Sequence, residues 1–303
     1  MDGIDLRLLE SFVVVAEELH FTRAAERLHL AQPALSQQMR RLEQQVGTPL
    51  FEQRRQPVAL TAAGAALAAG TGPALHALGR TIAEARGEGP VLRLGHLSSF
   101  GPRAVPALAT ALARAQPGLQ LQAHEHSVEE QLRGLRDGTL DAGLLYVDPT
   151  IELDATGLTV TPVASGPHYV AMRPDHPAAG RVQVPLADLA DEAWILPMGT
   201  GTPGYQARFF EALCARHGFT PRIAQQANSI ETMLGMVSAG LGIAAAPWTV
   251  LLRPPGDLHF AATPGERFDV ATVTRAPGVA DAFAAVARQV LGDLALSAVP
   301  TAR

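Results

Sequence analysis

Lysine is missing altogether: in these 303 residues all 24 basic side chains are arginine. A pyridoxal Schiff-base enzyme, a lysine-dependent aldolase, a Walker phosphate loop and a protein kinase each need a lysine amine at a fixed point, so none can be built here. Cysteine is nearly absent too. The single Cys214 excludes an intrachain disulfide and a cysteine-cluster metal site. Charge is sparse, at 17% of residues with a formal net of -5, while 47% are apolar; that balance belongs to a globular chain, not a disordered one. Long unbroken apolar runs are also lacking. Residues 56–79 carry no acid or arginine but are mostly Ala, Gly and Thr with Pro73 and His76, and residues 232–252 are divided by Gly235, Gly240, Gly242 and Pro247. Neither is read as a membrane span. The opening Met-Asp-Gly-Ile-Asp places acids where an export signal needs a basic stretch, so the expected location is the cytoplasm.

What is present begins with three short helical patterns. Leu9, Phe12, Val13 and Ala16 give one apolar face to a helix closing near Leu19. Thr22 is the expected N-cap of a second helix through Leu28, with Ala24 and Ala25 small enough for a close crossing. A third helix opens at Pro33 and runs to Gln45, ended by Gly47. On it Met39, Leu42 and Val46 fall within about 40° of Leu35 at 100° per residue, forming a buried stripe. Pro33, Ser36, Gln37, Arg40 and Arg41 then point the other way. Amide, hydroxyl and guanidinium groups on one rigid helix face suit base edges and phosphates in a major groove; an ordinary solvated face is the alternative. Leu50-Phe51 and Val58-Ala59-Leu60 flank the charged segment Glu52 to Pro57 like two strands and a turn, a wing. Residues 1–64 hold seven arginines against eight acids, yet Arg23 to Arg55 has six arginines and three acids, concentrating positive charge on the reading helix and wing tip.

Five motifs follow one another in this region: Phe21-Thr22-Arg23-Ala24-Ala25-Glu26-Arg27-Leu28, Ala31-Gln32-Pro33-Ala34-Leu35-Ser36-Gln37-Gln38, Leu42-Glu43, Gly47-Thr48-Pro49-Leu50-Phe51 and Leu60-Thr61-Ala62-Ala63-Gly64. Together they resemble the winged helix-turn-helix of LysR-type transcriptional regulators. The resemblance implies that Gln32, Pro33, Ser36 and Gln37 approach bases and that wing arginines approach the minor groove; Thr22 and the helix arginines Arg40 and Arg41 complete the expected DNA-facing set. Where the family usually has arginine after the wing's acidic residue this chain has Gln53, leaving Arg54 and Arg55 as the two candidates. From Thr61 to about Glu88, Leu67, Leu75, Leu78 and Ile82 lie near heptad spacing, as in the family's dimerising linker helix. Gly70, Gly72 and Pro73 are expected to kink or fray it.

From Val91 onward short apolar strands alternate with helices in two similar sets, the pattern of the α/β class. The first comprises strands at 91–95, 119–123 and 142–146 with helices at 105–114 and 128–136. The second comprises strands at 169–172, 193–196, 222–225 and 243–246 with helices at 205–217 and 230–239. A strand at 268–274 and a helix at 279–294 return to the first half. This resembles the family's two-lobed effector domain of periplasmic-binding-protein type. In such folds ligands bind between the halves, at strand carboxyl ends and helix N-termini. The candidates are His96, Ser98, Ser99, Phe100, Ser127 and Tyr146 in one half, and Thr200, Gly201, Thr202 and Ser229 in the other. Their hydroxyls and backbone amides suit a small carboxylate or similar polar metabolite, although each Ser or Thr is also a plausible helix cap.

Three leads are set aside. Gly199-Thr200-Gly201-Thr202-Pro203-Gly204 is formally G-x-G-x-x-G, but the next strand ends in Gln225 and Gln226 with no acid for a ribose. His124 and His126 share one strand face without further ligands, so no metal is expected. There is no G-x-S-x-G elbow, and Cys214 sits among Phe209, Phe210 and Leu213 as packing.

The expected architecture is therefore a winged helix-turn-helix at 1–60, a linker and dimerisation helix at 61–88 and an effector domain at 90–303. Its lobe I spans about 91–163 and 267–303, and lobe II about 166–263. The expected protein is a transcriptional regulator without cofactor or catalysis, binding double-stranded DNA at an inverted repeat as a homodimer or homotetramer, responding to a small-molecule effector, with RNA polymerase a further candidate partner. The rival is an α/β ligand-binding protein or enzyme whose N-terminal helices only dimerise.

Overall fold

The computed structural model describes residues 4–52, 58–197, 204–275 and 279–297, and the chain divides into two compact units, the first made of residues up to Glu88 together with Arg136–Thr139 and the second of Gly89–Leu135 and the residues from Leu140 onward.

The first unit opens with α1 (Leu6–Glu18), whose N-terminal Arg7 N–H donates to the Asp5 carboxylate at 3.0 Å, and which ends in left-handed Leu19. The second helix, α2 (Phe21–Arg27), is capped by His20, whose Nδ1 accepts from the Arg23 N–H at 3.4 Å. This corrects the expected cap at Thr22: the extended residue is His20, and Thr22 already lies inside the helix. The third, α3 (Gln32–Val46), closes at Gly47 with φ +81°, a left-handed position that favours glycine. Its Leu35, Met39 and Leu42 are buried with Leu8, Phe12 and Val15 of α1, Ala24 and Ala25 of α2, and Leu50 and Phe51 beyond the helix. The Glu43 carboxylate accepts the Leu50 N–H at 2.8 Å, tying the following segment back to α3. Phe51 and Leu60 pair antiparallel, as expected of a wing. Its tip, residues 53–57, with Arg54 and Arg55, lies outside the described residues.

Thr61 then starts α4 (Ala62–Ala85): its hydroxyl donates to the Pro49 carbonyl at 2.7 Å and accepts the Gly64 N–H at 3.0 Å. A Cβ on Gly64 would overlap the Leu50 carbonyl, so this glycine permits the close approach of helix and wing base. The helix runs unbroken through Gly70, Gly72 and Pro73. The expected fraying there does not end the helix, because a proline removes one donor from the ladder and its neighbours continue it. Leu78 and Ile82 of the expected seam are 40% and 43% exposed.

The second unit contains strands β1 (Val91–His96), β2 (Gln120–Glu125), β3 (Ala142–Val147), β4 (Thr159–Met172), β5 (Ala193–Pro197), β6 (Arg222–Ala227), β7 (Ala244–Pro247) and β8 (His259–Thr274). They form a six-stranded sheet of order β2-β1-β3-β8-β4-β7 and a two-stranded sheet β5-β6. The β1, β2 and β3 strands are parallel, as crossover helices require, while β8 runs antiparallel to both β3 and β4. Helices α5 (Ala104–Ala115) and α9 (Val279–Ser297) pack together over the first lobe, which also carries α6 (Val128–Asp137). The second lobe carries α7 (Tyr205–Arg216) and α8 (Ile230–Ser238).

Two elements depart from the sequence expectation. The strands expected at 169–172 and 268–274 are the ends of the much longer β4 and β8, which cross from lobe to lobe as a pair. Pro162, Gly166 and Pro167 disguise β4 as a loop, and register shifts at Pro162/Ala164 and Pro167/Tyr169 let the ladder absorb them. Gly166 has no room for a Cβ because the Trp248 ring lies against it.

Candidate functional site

In the first unit the outward face of α3 is available as its periodicity implies. Gln32, Pro33, Gln37, Arg40 and Arg41 are exposed and Ser36 is half-buried. The Gln32 amide donates to the Ser36 hydroxyl at 3.1 Å, linking two of the expected base-facing groups. Thr22 is exposed at the start of α2. The arginines are not equivalent. Arg23 is held by Glu18 at 3.1 Å and Arg27 by Glu17 at 2.6 Å, so these two brace α2 against α1. Arg40 and Arg41 have no ion pair among the described residues, leaving both guanidiniums free for phosphate or base.

In the second unit a cavity of about 70 Å³ opens between the lobes. Ser98 and Ser99, in the 3-10 turn after β1, and Tyr146, near the end of β3, enter it from the first lobe; Ser229 enters from the start of α8. These are four of the ten residues expected to meet an effector. Ser99 Oγ lies 3.0 Å from the Tyr146 hydroxyl, which lies 2.6 Å from Thr249 Oγ1 in the turn after β7. Burial raises the Tyr146 pKa strongly, outweighing the opposing effect of those two hydrogen bonds, so the phenol stays neutral. Phe209 and Phe268 stack at 5.0 Å and 7°, giving the cavity an aromatic side.

Three expected residues are not brought there. His96 is buried with its Nδ1 2.9 Å from the Leu97 carbonyl, and Phe100 is a core ring stacked on Tyr146 at 4.7 Å. Ser127 forms a capping box with Glu130, donating from both N–H and hydroxyl to Glu130 Oε2 at 2.8 Å; that backbone bond is the largest cause of the lowered Glu130 pKa. Thr200, Gly201 and Thr202 lie outside the described residues.

Sequence reading missed Tyr205, Gln206, Phe209 and Asn228, which line the cavity from the second lobe. It also missed the ties across the cleft. The Tyr205 N–H, opening α7, donates to Glu129 Oε1 of α6 at 2.7 Å, and the Asp148 N–H donates to the Tyr205 hydroxyl at 3.0 Å. The Ile230 N–H, opening α8, donates to Ser98 Oγ at 3.0 Å. Arg216, at the end of α7, bridges Asp148 at 3.0 Å and Glu266 at 3.2 Å. Between the crossing strands, His168 Nδ1 lies 2.6 Å from Thr263 Oγ1; burial, then His217 and Arg216, push its pKa down to about 3.

Cys214 is fully buried and burial pushes its thiol up to about 12. The His124 and His126 rings stand 6.1 Å apart. Among the described residues no group of three His, Cys, Asp or Glu side chains is arranged to hold a metal, and no helix is long and apolar enough to cross a membrane.

Comparison with known proteins covers both units. Residues 6–65 match the family model described as bacterial regulatory helix-turn-helix protein, lysR family, and residues 85–293 match that described as LysR substrate binding domain. The chain is 33% identical over 248 residues to the HTH-type transcriptional regulator AlsR of Bacillus subtilis, covering 80% of each. It is 33% identical over 257 residues to a hydrogen peroxide-inducible genes activator of Escherichia coli, covering 83% of this chain and 81% of that one. Among solved structures, full-length CbnR in complex with its target DNA aligns with a TM-score of 0.64 at 26% identity, over 95% of this chain and 100% of that one.

Proposed function

The chain belongs to the LysR family of DNA-binding transcriptional regulators, and from that premise we propose that it reads an inverted-repeat operator as a homodimer or homotetramer and alters its hold when a small molecule enters the interlobe cleft. It is a regulator with an effector-binding domain and not an enzyme, as its relatives are transcriptional regulators. That sets aside the rival of an α/β enzyme with merely dimerising helices. The observation that carries the DNA reading is α3, fixed by Leu35, Met39 and Leu42 and turning Gln32, Pro33, Gln37, Arg40 and Arg41 outward. In this reading the amides and Ser36 meet base edges, Thr22 and the two arginines meet backbone or guanine, and Arg54 or Arg55 enters the minor groove.

The working division is 1–60 for DNA binding, 61–88 for dimerisation and 90–303 for effector binding, with lobe I at about 91–163 and 267–303 and lobe II at about 166–263. Exposed Leu78 and Ile82 support the linker as a dimer seam. Ser98, Ser99, Tyr146 and Ser229 are the effector contacts the cavity supports best. The effector acts by binding one arrangement of the lobes more tightly than another, which biases the spacing of paired DNA-binding units. RNA polymerase is the partner through which an operator-bound regulator would act, and the cytoplasm is where it would meet both. A thiol-based redox response is not part of this reading, because reactivity needs an accessible thiolate and the sole thiol here is buried with its pKa pushed up to about 12.

Selection from a random duplex library at stated salt tests the reading. Retention of an inverted repeat supports it; enrichment of no sequence at any salt, with and without metabolite extract, removes it.

A further inference from the structure

The described lining of the cavity carries no charge. Of the described residues lining the cavity, none is acidic or basic: Ser98, Ser99, Gln206, Asn228 and Ser229 supply polar groups around aromatic rings. Two helices begin here, and helix N-termini are where an anionic ligand is ordinarily received. The leading N–H of each is already engaged. The α8 N–H groups of Ile230 and Thr232 donate to the hydroxyls of Ser98 and Ser229 at 3.0 and 3.1 Å. The α7 N–H of Tyr205 donates to the carboxylate of Glu129, which reaches over from the opposite lobe. Arg216, the cation at the other end of α7, is committed to Asp148 and Glu266.

We infer that the cleft takes an uncharged ligand, and that Glu129 sets this preference because its carboxylate occupies the place a ligand's carboxylate would take at the start of α7. This replaces the carboxylate ligand expected from the hydroxyls and helix N-termini in the sequence, and it rests on the reading of the cleft as the effector site. A second carboxylate brought to the Tyr205 N–H meets the like charge of Glu129 in a partly desolvated place, with no cation lining the cavity to offset it. An amide or alcohol meets donors and acceptors without that repulsion. A purely structural strut at Glu129 would leave charge selectivity untouched, which gives the two roles different consequences.

The test uses the full chain and two probes of matching shape and different charge, propionamide and propionate, with binding read by calorimetry and thermal stability. The wild type is expected to prefer propionamide by at least about tenfold. Glu129→Gln keeps an acceptor for the Tyr205 N–H without the charge, and is expected to bring the two probes within about threefold of each other. Glu129→Ala leaves the N-terminus of α7 open, and propionate alone is expected to restore stability to it. A wild type that binds propionate as well as propionamide overturns the proposal. So does a preference unchanged in Glu129→Gln, a Glu129→Ala protein indifferent to propionate, or a wild type that binds neither probe. Operator affinity measured on the same samples separates this from the role of the cleft: if ligand bound there never alters it, the cleft is not regulatory, whatever the charge preference.

Discussion

The Tyr146 hydroxyl lies 2.6 Å from Thr249 Oγ1, bonding the end of β3 in the first lobe to the turn that follows β7. Both residues are buried, and Ser99 joins the chain at 3.0 Å from the same phenol. Tyr146→Phe keeps the ring on Phe100 and Phe268 but strands a buried hydroxyl, so a stability loss of about 1–2 kcal/mol is expected from denaturant unfolding. Thr249→Val in the Tyr146→Phe background should add little more, since the bond is already gone. Fully additive losses in that double-mutant cycle would show that the pair is not coupled.

His168 gives a pH signature. Its ring is buried between the crossing strands with its pKa pushed down to about 3 from 6.5. The folded state holds it neutral while the unfolded chain takes up a proton below 6.5. Its contribution to stability is therefore complete above pH 6.5 and is lost as pH falls from there toward 3, at up to about 1.4 kcal/mol per pH unit. The lowered carboxyls of Glu130 and Asp148 add acid sensitivity of their own, so the informative quantity is the difference from His168→Asn. That difference should grow more favourable to the variant with acidification; parallel stability profiles would exclude a neutral buried histidine.

On the DNA side, Gln37→Ala and Arg55→Ala should fail differently. Loss of an amide that reads a base edge weakens discrimination by about 1–3 kcal/mol at one position of each half-site. Loss of a wing arginine, whose charge acts on the phosphates flanking the minor groove whatever the sequence, weakens all duplexes alike and lowers the salt slope by about 1. Titrations against selected and scrambled duplexes over several salt concentrations separate the two. An unchanged slope in Arg55→Ala removes that residue from the phosphate contacts.

Gly64→Ala tests the junction between wing and linker helix. The added methyl would overlap the Leu50 carbonyl, which is backbone and has little freedom to give way. A destabilisation of about 1–3 kcal/mol is expected, with DNA affinity falling alongside it. A variant of wild-type stability would show that the approach is looser than the structure has it.

Where periodicity alone decides, the sequence was a good guide. The stripe of Leu35, Met39 and Leu42 is buried and the amide and arginine face of α3 is exposed, because a 3.6-residue repeat on a short helix leaves no other arrangement. Strands β1 to β3 were legible as apolar runs between helices. The crossing strands were not, since Pro162, Gly166 and Pro167 read as loop and only tertiary pairing makes them strand. The cleft was half legible. Ser98, Ser99, Tyr146 and Ser229 follow from strand and helix ends, but the face α7 turns to the cavity depends on how two lobes meet, and Glu129 on α6 gives no local sign that it caps a helix 76 residues away.

The central claim, that this chain regulates by reading DNA sequence, is tested most directly by the ratio of its affinities for the selected inverted repeat and a scrambled duplex of equal length at one stated salt. The account predicts a preference of at least about a thousandfold, much of it lost in Gln37→Ala. Equal affinity for both duplexes would contradict it.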